Sequence, residues 1–156
     1  MAIRADEPLT QTDGEVPPSL DGIDMVHELL NRYWSTIEGA LSQVPDRHWR
    51  ALFDSSVTEI ATNIIRHGYP AGSLQIPFSL SLRCFPDRME AVLIDRGLEF
   101  DFPLSIRPVD MRVSVDSADL DRGWGLPIVQ AAADRIHYEH LSSGMNRWHI
   151  EKRLPS

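Results

Sequence analysis

The alternation of apolar and polar residues between positions 74 and 84 constrains the fold more than any other feature of the chain. Apolar residues occupy every even position from Leu74 to Cys84, and other residue types lie between them. A period of two is typical of a β-strand with one buried face. The turn residues Pro86 and Asp87 precede a second apolar run, so the segment predicts a hairpin that ends at Asp95.

Two amphipathic helices are predicted before this hairpin, and they would cover its apolar face. Apolar residues recur at helical spacing over residues 20–41 and again over residues 49–64. Asp46 is a suitable N-cap for the second helix, and Gly68 is a natural residue for its end. Residues 1–19 contain several Pro and acidic residues and few large apolar ones, so we expect a flexible arm without secondary structure.

The second half of the chain predicts a long loop, a helix and two more strands. The loop covers residues 96–121 and has the length of a functional lid; the helix runs over about residues 126–133, and the strands over residues 135–141 and 146–154. This order is typical of the α/β class, as a two-layer α/β sandwich with a mostly antiparallel sheet. We expect residues 20–156 to form one domain behind the arm.

Composition excludes several classes of protein. The net charge of −8 argues against direct nucleic-acid binding, which usually needs a basic patch. No run approaches the roughly 20 apolar residues of a membrane span, and the N-terminus lacks the apolar core of a signal peptide, so we expect a cytoplasmic protein that does not enter membranes. The single cysteine, Cys84, excludes an intrachain disulfide and predicts a small buried apolar side chain.

The stretch EIATNIIRHGYP, residues 59–70, contains the first candidate site. At about 100° per residue, Glu59, Asn63 and Arg66 lie on one side of the predicted second helix. The ordinary interpretation is a solvated helix face. However, Asn is a poor choice for an exposed helix position, and an amide oxygen one turn from a carboxylate is suited to binding Mg²⁺ and activating a hydroxyl group.

A second candidate site follows a predicted strand, and a third precedes a predicted helix. Asp95 and Gly97 come directly after an apolar strand, where a carboxylate could accept a hydrogen bond from a ring amine, or could simply initiate a turn. Gly123 and Gly125 precede the predicted third helix, where free backbone N–H groups could bind phosphate with the help of Arg122. A plain loop-to-helix turn is the alternative interpretation of these two glycines.

The order of these motifs resembles the GHKL, or histidine kinase-like, ATPase superfamily, whose ATP-binding domain has the Bergerat fold. Within that superfamily, four segments are similar to the anti-sigma factor serine kinases of bacterial partner-switching systems. They are EIATNIIRHGY, LIDRGLEFD, DRGWGLPIVQAAADRIHYE and NRWHIEKRL. The resemblance covers roughly residues 20–154, and the combined pattern is far more specific than any single motif.

The resemblance implies a role for each candidate residue. Asn63 would be a ligand of Mg²⁺, Glu59 the general base, Asp95 the partner of the adenine amino group, and Gly97 the point of close approach for the base. The phosphates of ATP would lie against Gly123 and Gly125, beside Arg66 and Arg122.

The implied function is that of an ATP-dependent serine kinase and anti-sigma factor. Its partners would be an anti-sigma factor antagonist with a STAS domain and a sigma factor or equivalent regulated protein, and the likeness also suggests a homodimer. The alternative is a nucleotide-gated binding switch of the same fold without phosphotransfer. A structural domain with a coincidental set of motifs is a third interpretation.

Overall fold

The computed structural model describes residues 6–100 and 132–156. In this part of the chain, five strands form one antiparallel sheet in the order β1-β2-β3-β5-β4, and two helices complete the α/β arrangement. The strands are β1 (Thr10–Val16), β2 (Phe78–Cys84), β3 (Arg88–Asp95), β4 (Arg135–His140) and β5 (Asn146–Arg153). The helices are α1 (Asp21–Ala40) and α2 (Arg47–Asn63), and α2 continues into a π-helical turn, Ile64–Gly68. The predicted fold class is confirmed.

The two helices form because their apolar residues lie on one side, and α2 also has a side-chain cap at its start. The α1 side chains Val26, Leu30 and Ile37 are buried, as the helical spacing predicts. At the start of α2, the Asp46 carboxylate accepts a hydrogen bond from the Trp49 N–H at 2.8 Å, which confirms the predicted N-cap. In the described residues, no helix combines the length and apolar character needed to cross a membrane.

One hydrophobic core lies between the helices and the inner face of the sheet. Burial alternates along β2, so that Phe78, Leu80, Leu82 and Cys84 all point inward. Burial raises the pKa of the Cys84 thiol to about 11, which agrees with the prediction of a buried apolar side chain rather than a nucleophile.

The predicted strand over residues 74–84 is wrong at its start. β2 begins at Phe78, and the Leu74 side chain is 80% exposed. Pro77 has no N–H group to donate to a neighbouring strand, and the pairing with β1 ends at Phe78 opposite Val16. The apolar–polar alternation therefore begins at Leu74, four residues before the first paired residue, Phe78.

The prediction that the arm lacks secondary structure is also wrong for residues 10–16. This segment is strand β1, which pairs with the whole length of β2 from Thr10 opposite Cys84 to Val16 opposite Phe78. Thr12 and Val16 point into the core, and Gly14 lies against the Leu29 side chain of α1. The inward positions carry small residues, and the sequence therefore lacks the strongly apolar alternation that would have predicted this strand.

Candidate functional site

The end of α2 places the first group of candidate residues in three different environments. Asn63 is completely buried, Glu59 is half-buried one turn earlier, and Arg66 is exposed. The interpretation of a solvated helix face is therefore wrong for Asn63. The π-helical turn that begins at Ile64 adds a residue per turn beyond Asn63, so Arg66 does not follow the regular spacing of 100° per residue.

Glu59 lines a groove of about 480 Å³ between α1 and α2. The opposite wall of the groove is formed by His27 and Asn31 of α1, and Ser55 and Thr58 lie beside Glu59 on α2. The lining is mostly polar. A half-buried carboxylate on the wall of an open groove could meet a hydroxyl group that enters from outside, which a general base requires.

Hydrogen bonds hold the segment that follows β3 against the end of the π-helical turn. The Leu98 N–H donates to the Gly68 carbonyl at 2.8 Å, and the Arg96 N–H donates to the Tyr69 hydroxyl at 3.1 Å. A Cβ atom on Gly97 would lie 2.4 Å from the Gly68 oxygen, so only glycine fits at this contact. The fold thus brings the Asp95–Gly97 segment next to the end of the helix that carries Glu59 and Asn63.

Asp95 is a buried carboxylate, 2% exposed, with donors on both oxygens. Its Oδ1 accepts hydrogen bonds from the Gly97 N–H at 2.9 Å and the Asn146 Nδ2 at 2.8 Å, and its Oδ2 accepts one from the Trp148 Nε1 at 3.3 Å. Burial raises the pKa of this carboxyl, although the three donors oppose the shift. A carboxylate offers about four acceptor positions, so the three described donors leave one for a ligand amine.

Asn146 links Asp95 to the rest of the site, and the sequence did not single it out. It is the partner of Asp95 in the β3–β5 pairing, and its Nδ2 also donates to the carbonyls of Gly97 at 3.2 Å and Leu98 at 2.9 Å. Its Oδ1 accepts from the Tyr138 hydroxyl at 2.7 Å. A polar residue at the start of a predicted strand was the available signal, but its partner depends on the strand register.

An aromatic cluster, Phe100, Tyr138 and Trp148, lies beside this network. The ring centroids of Tyr138 and Trp148 are 4.5 Å apart, and those of Phe100 and Trp148 are 5.0 Å apart. The Tyr138 hydroxyl also accepts a hydrogen bond from the Phe100 N–H at 2.8 Å. These contacts hold the residues after Asp95 in place at both the backbone and the side-chain level.

The third candidate site, formed by Arg122, Gly123 and Gly125, lies outside the described residues, as do most of the predicted lid and third helix.

The donor chemistry of the described residues fits a magnesium–nucleotide complex. Mg²⁺ usually takes one or two protein oxygens and completes its shell with water and phosphate oxygens, so the buried amide oxygen of Asn63 is a suitable ligand. Among the described residues, Asp95 retains acceptor capacity for an exocyclic amine. Asp95 and Asn63 could therefore serve as ligands of a base amine and of a metal ion, respectively.

Residues 40–148 match the family model of the histidine kinase-like ATPase domain. Among curated proteins, the chain is similar to the serine-protein kinase RsbW of Bacillus cereus, with 30% identity over 90 residues that cover 54% of this chain and 53% of the relative. RsbW of Halalkalibacterium halodurans is also 30% identical over 90 residues, which cover 56% of this chain and 53% of the relative. The chain thus spans about half the length of these curated relatives.

The fold is also similar to a solved structure. A chain in the crystal structure of the SiaB–SiaC complex from Pseudomonas aeruginosa superposes with a TM-score of 0.53 and 12% sequence identity. The alignment covers 91% of this chain and 89% of that chain. At this level of identity the likeness concerns the fold alone.

Proposed function

Because the chain belongs to the histidine kinase-like ATPase domain family, we propose that it is an ATP-dependent serine kinase and anti-sigma factor of a bacterial partner-switching system. It phosphorylates a serine of an anti-sigma factor antagonist, a STAS-domain protein, and sequesters a sigma factor or an equivalent regulated protein. The similarity to proteins named serine-protein kinase RsbW supports this proposal. The observation that carries it is the close packing of the Asp95–Gly97 segment against the end of the helix that carries Glu59 and Asn63.

In this proposal Asp95 selects adenine. Its carboxylate is held by Asn146, Gly97 and Trp148, so its position does not depend on the ligand. It accepts a hydrogen bond from the adenine amino group, which guanine replaces with an acceptor oxygen. Gly97 is the point at which the base approaches the backbone.

Asn63 supplies an oxygen to Mg²⁺, and Gly123, Gly125, Arg66 and Arg122 contact the phosphates. When bound, the ion neutralises negative charge on the phosphoryl group that is transferred. Glu59 takes the proton from the serine hydroxyl of the partner as the phosphoryl group leaves ATP. The groove between α1 and α2, which is lined by Glu59, gives that hydroxyl a route to the carboxylate.

Two properties of the whole protein complete the proposal. It acts in the cytoplasm, where ATP and its partners are found, and it forms a homodimer. The kinase domain comprises residues 20–156 together with β1, which pairs with β2 in the same sheet.

A phosphotransfer assay tests this function. We expect the purified chain, mixed with Mg²⁺, ATP and a candidate STAS-domain antagonist, to produce phosphoserine on the antagonist. The Glu59→Gln variant should lose transfer by about 10²- to 10⁴-fold, the usual contribution of a general base, while its affinity for ATP is unchanged. Glu38→Gln, a matched change at an exposed position of α1, should transfer at the normal rate.

The alternative of a nucleotide-gated switch makes a different prediction in the same assay. Tight, ATP-dependent binding of the antagonist without phosphoserine from the unmodified chain would contradict the kinase and favour the switch. In that case Glu59→Gln would behave as the unmodified chain does.

A further inference from the structure

The outer face of the sheet, opposite the helices, carries a cluster of three potential metal ligands. Glu90 of β3 lies directly opposite Glu151 of β5 in the strand register, and His149 lies two residues before Glu151 on the same face. The inward residues of the same two strands include Asp95 and Trp148. The cluster is therefore separated from the candidate nucleotide site by the thickness of the sheet.

The spacing of the three side chains is close to that of ligands around one ion. One ligand atom from each residue lies within 4.8 Å of the other two. The His149 Nε2 and the Glu90 Oε2 are 3.2 Å apart. Two ligands at about 2.0–2.2 Å from a tetrahedral Zn²⁺ are about 3.4 Å from each other, so this pair already has the required separation. Glu151 is partly exposed.

The Glu90 carboxylate is oriented by a neighbour in the way that metal-binding carboxylates usually are. The Arg88 Nε donates to Glu90 Oε1 at 2.7 Å, which leaves Oε2 directed toward His149. Glu90 is only 8% exposed, so this orientation is fixed by its surroundings. Hydrogen bonds that hold a ligand in position commonly raise metal affinity 10- to 100-fold.

Charges of both signs surround the cluster, because Glu151 lies opposite Glu90 of β3 on one side and opposite Arg135 of β4 on the other. Glu90 and Glu151 face each other across the strand pair, and like charges at directly opposed positions are destabilising. Arg88 is shared between Glu90 and the exposed Asp87, at 2.7 and 2.8 Å. A divalent ion between the two carboxylates would remove their repulsion.

We propose that Glu90, His149 and Glu151 form a Zn²⁺-binding site on the outer face of the sheet, with water as the fourth ligand. One imidazole nitrogen and two carboxylate oxygens are a donor set that suits Zn²⁺, whereas Mg²⁺ and Ca²⁺ prefer oxygen ligands alone. The site is independent of the proposed kinase function, because no residue is shared between them.

Titration of the full chain with Zn²⁺ in a calorimeter, without nucleotide, tests this site. We expect one equivalent of Zn²⁺ to bind, and His149→Ala and Glu151→Gln each to weaken that binding by at least about tenfold, because each removes a ligand and not only a neighbour of one. His48→Ala, a matched change at an exposed position of α2, should leave the affinity unchanged. Titration with Co²⁺ should give the intense visible absorption of tetrahedral coordination.

Two results would overturn the proposal. One is an unmodified chain that binds no Zn²⁺ at concentrations up to about 100 µM, an affinity too weak for a built site. The other is equal binding by His149→Ala, Glu151→Gln and the unmodified chain, which would reduce the cluster to ion pairs among Arg88, Glu90 and His149. Circular dichroism establishes whether each variant is folded. If His149→Ala does not fold, the Zn²⁺ affinity of Glu151→Gln still tests the site.

Discussion

At the scale of single residues, the contact between Gly97 and Gly68 joins the two halves of the candidate site. The Gly97 backbone approaches the end of the π-helical turn so closely that a side chain would overlap the Gly68 carbonyl. The sequence indicated that Gly97 lets a base approach the backbone. The structure adds a second reason for glycine at this position, namely the packing of one backbone segment on another.

The Gly97→Ala variant should be less stable than the unmodified chain. Its new Cβ would meet a backbone oxygen at 2.4 Å, which cannot move without shifting the helix end, and such overpacking costs about 1–3 kcal/mol. Gly39→Ala is the matched control, because a Cβ at Gly39 in α1 meets nothing within 4 Å, and Ala should stabilise a helix there. Urea unfolding measures both changes, and equal stabilities for Gly97→Ala and the unmodified chain would contradict the contact.

Burial of Asp95 should make the stability of the chain depend on pH. Its carboxyl has a pKa above the ordinary value of 3.8, so the native state holds the proton more tightly than the unfolded chain does. The stability associated with that proton is fully present below about pH 3.8 and is lost as pH rises through the raised pKa. Relative to Asp95→Asn, the unmodified chain should therefore lose stability as pH increases.

Unfolding of both proteins at a series of pH values between about 3.5 and 7 measures this difference. Other carboxyl groups with shifted pKa values, such as Asp54 and Glu90, are present in both proteins and cancel in the comparison. A difference in unfolding free energy that is constant over this range would contradict the assigned pKa shift.

At the scale of secondary-structure elements, β1 is the strand that the sequence pattern did not predict. The first two helices, the hairpin and the last two strands could be predicted because long apolar side chains recur at regular intervals. β1 could not, because its inward positions carry Thr12, Gly14 and Val16. These small residues are needed where the Leu29 side chain of α1 packs against the strand, as a Cβ on Gly14 would lie 2.6 Å from it.

Substitution of Val16 tests whether β1 is part of the core. Val16 is completely buried, so Val16→Ala should lower the free energy of unfolding by about 1–3 kcal/mol. Val44→Ala is the same chemical change at a side chain that is 38% exposed between the two helices, and it should have little effect. Equal, small effects of the two substitutions would show that the segment is a mobile arm after all.

At the scale of the whole molecule, the candidate site depends on which elements the fold places side by side. Asn63 could be selected from the sequence because Asn is a poor helix former, whereas Glu59, Asp95 and Gly97 were selected through the resemblance of the ordered motifs to a known family. Asn146 could not, because its role follows from the β3–β5 register, which places it opposite Asp95 across 51 residues of chain. Local patterns predict elements, whereas pairing between distant strands decides which polar groups meet.

We propose that Asp95 and the end of α2 form one adenine-nucleotide site. Calorimetric titration of the chain with ATP and with GTP, both in the presence of Mg²⁺, tests this proposal. We expect ATP to bind at least about tenfold more tightly than GTP, and Asp95→Asn to lose most of this preference, because a hydrogen bond to a buried charge contributes about 1.5–3 kcal/mol. Asp13→Asn, at an exposed position of β1, should keep the preference unchanged. Equal affinities for ATP and GTP in the unmodified chain, or an unchanged preference in Asp95→Asn, would contradict the proposal.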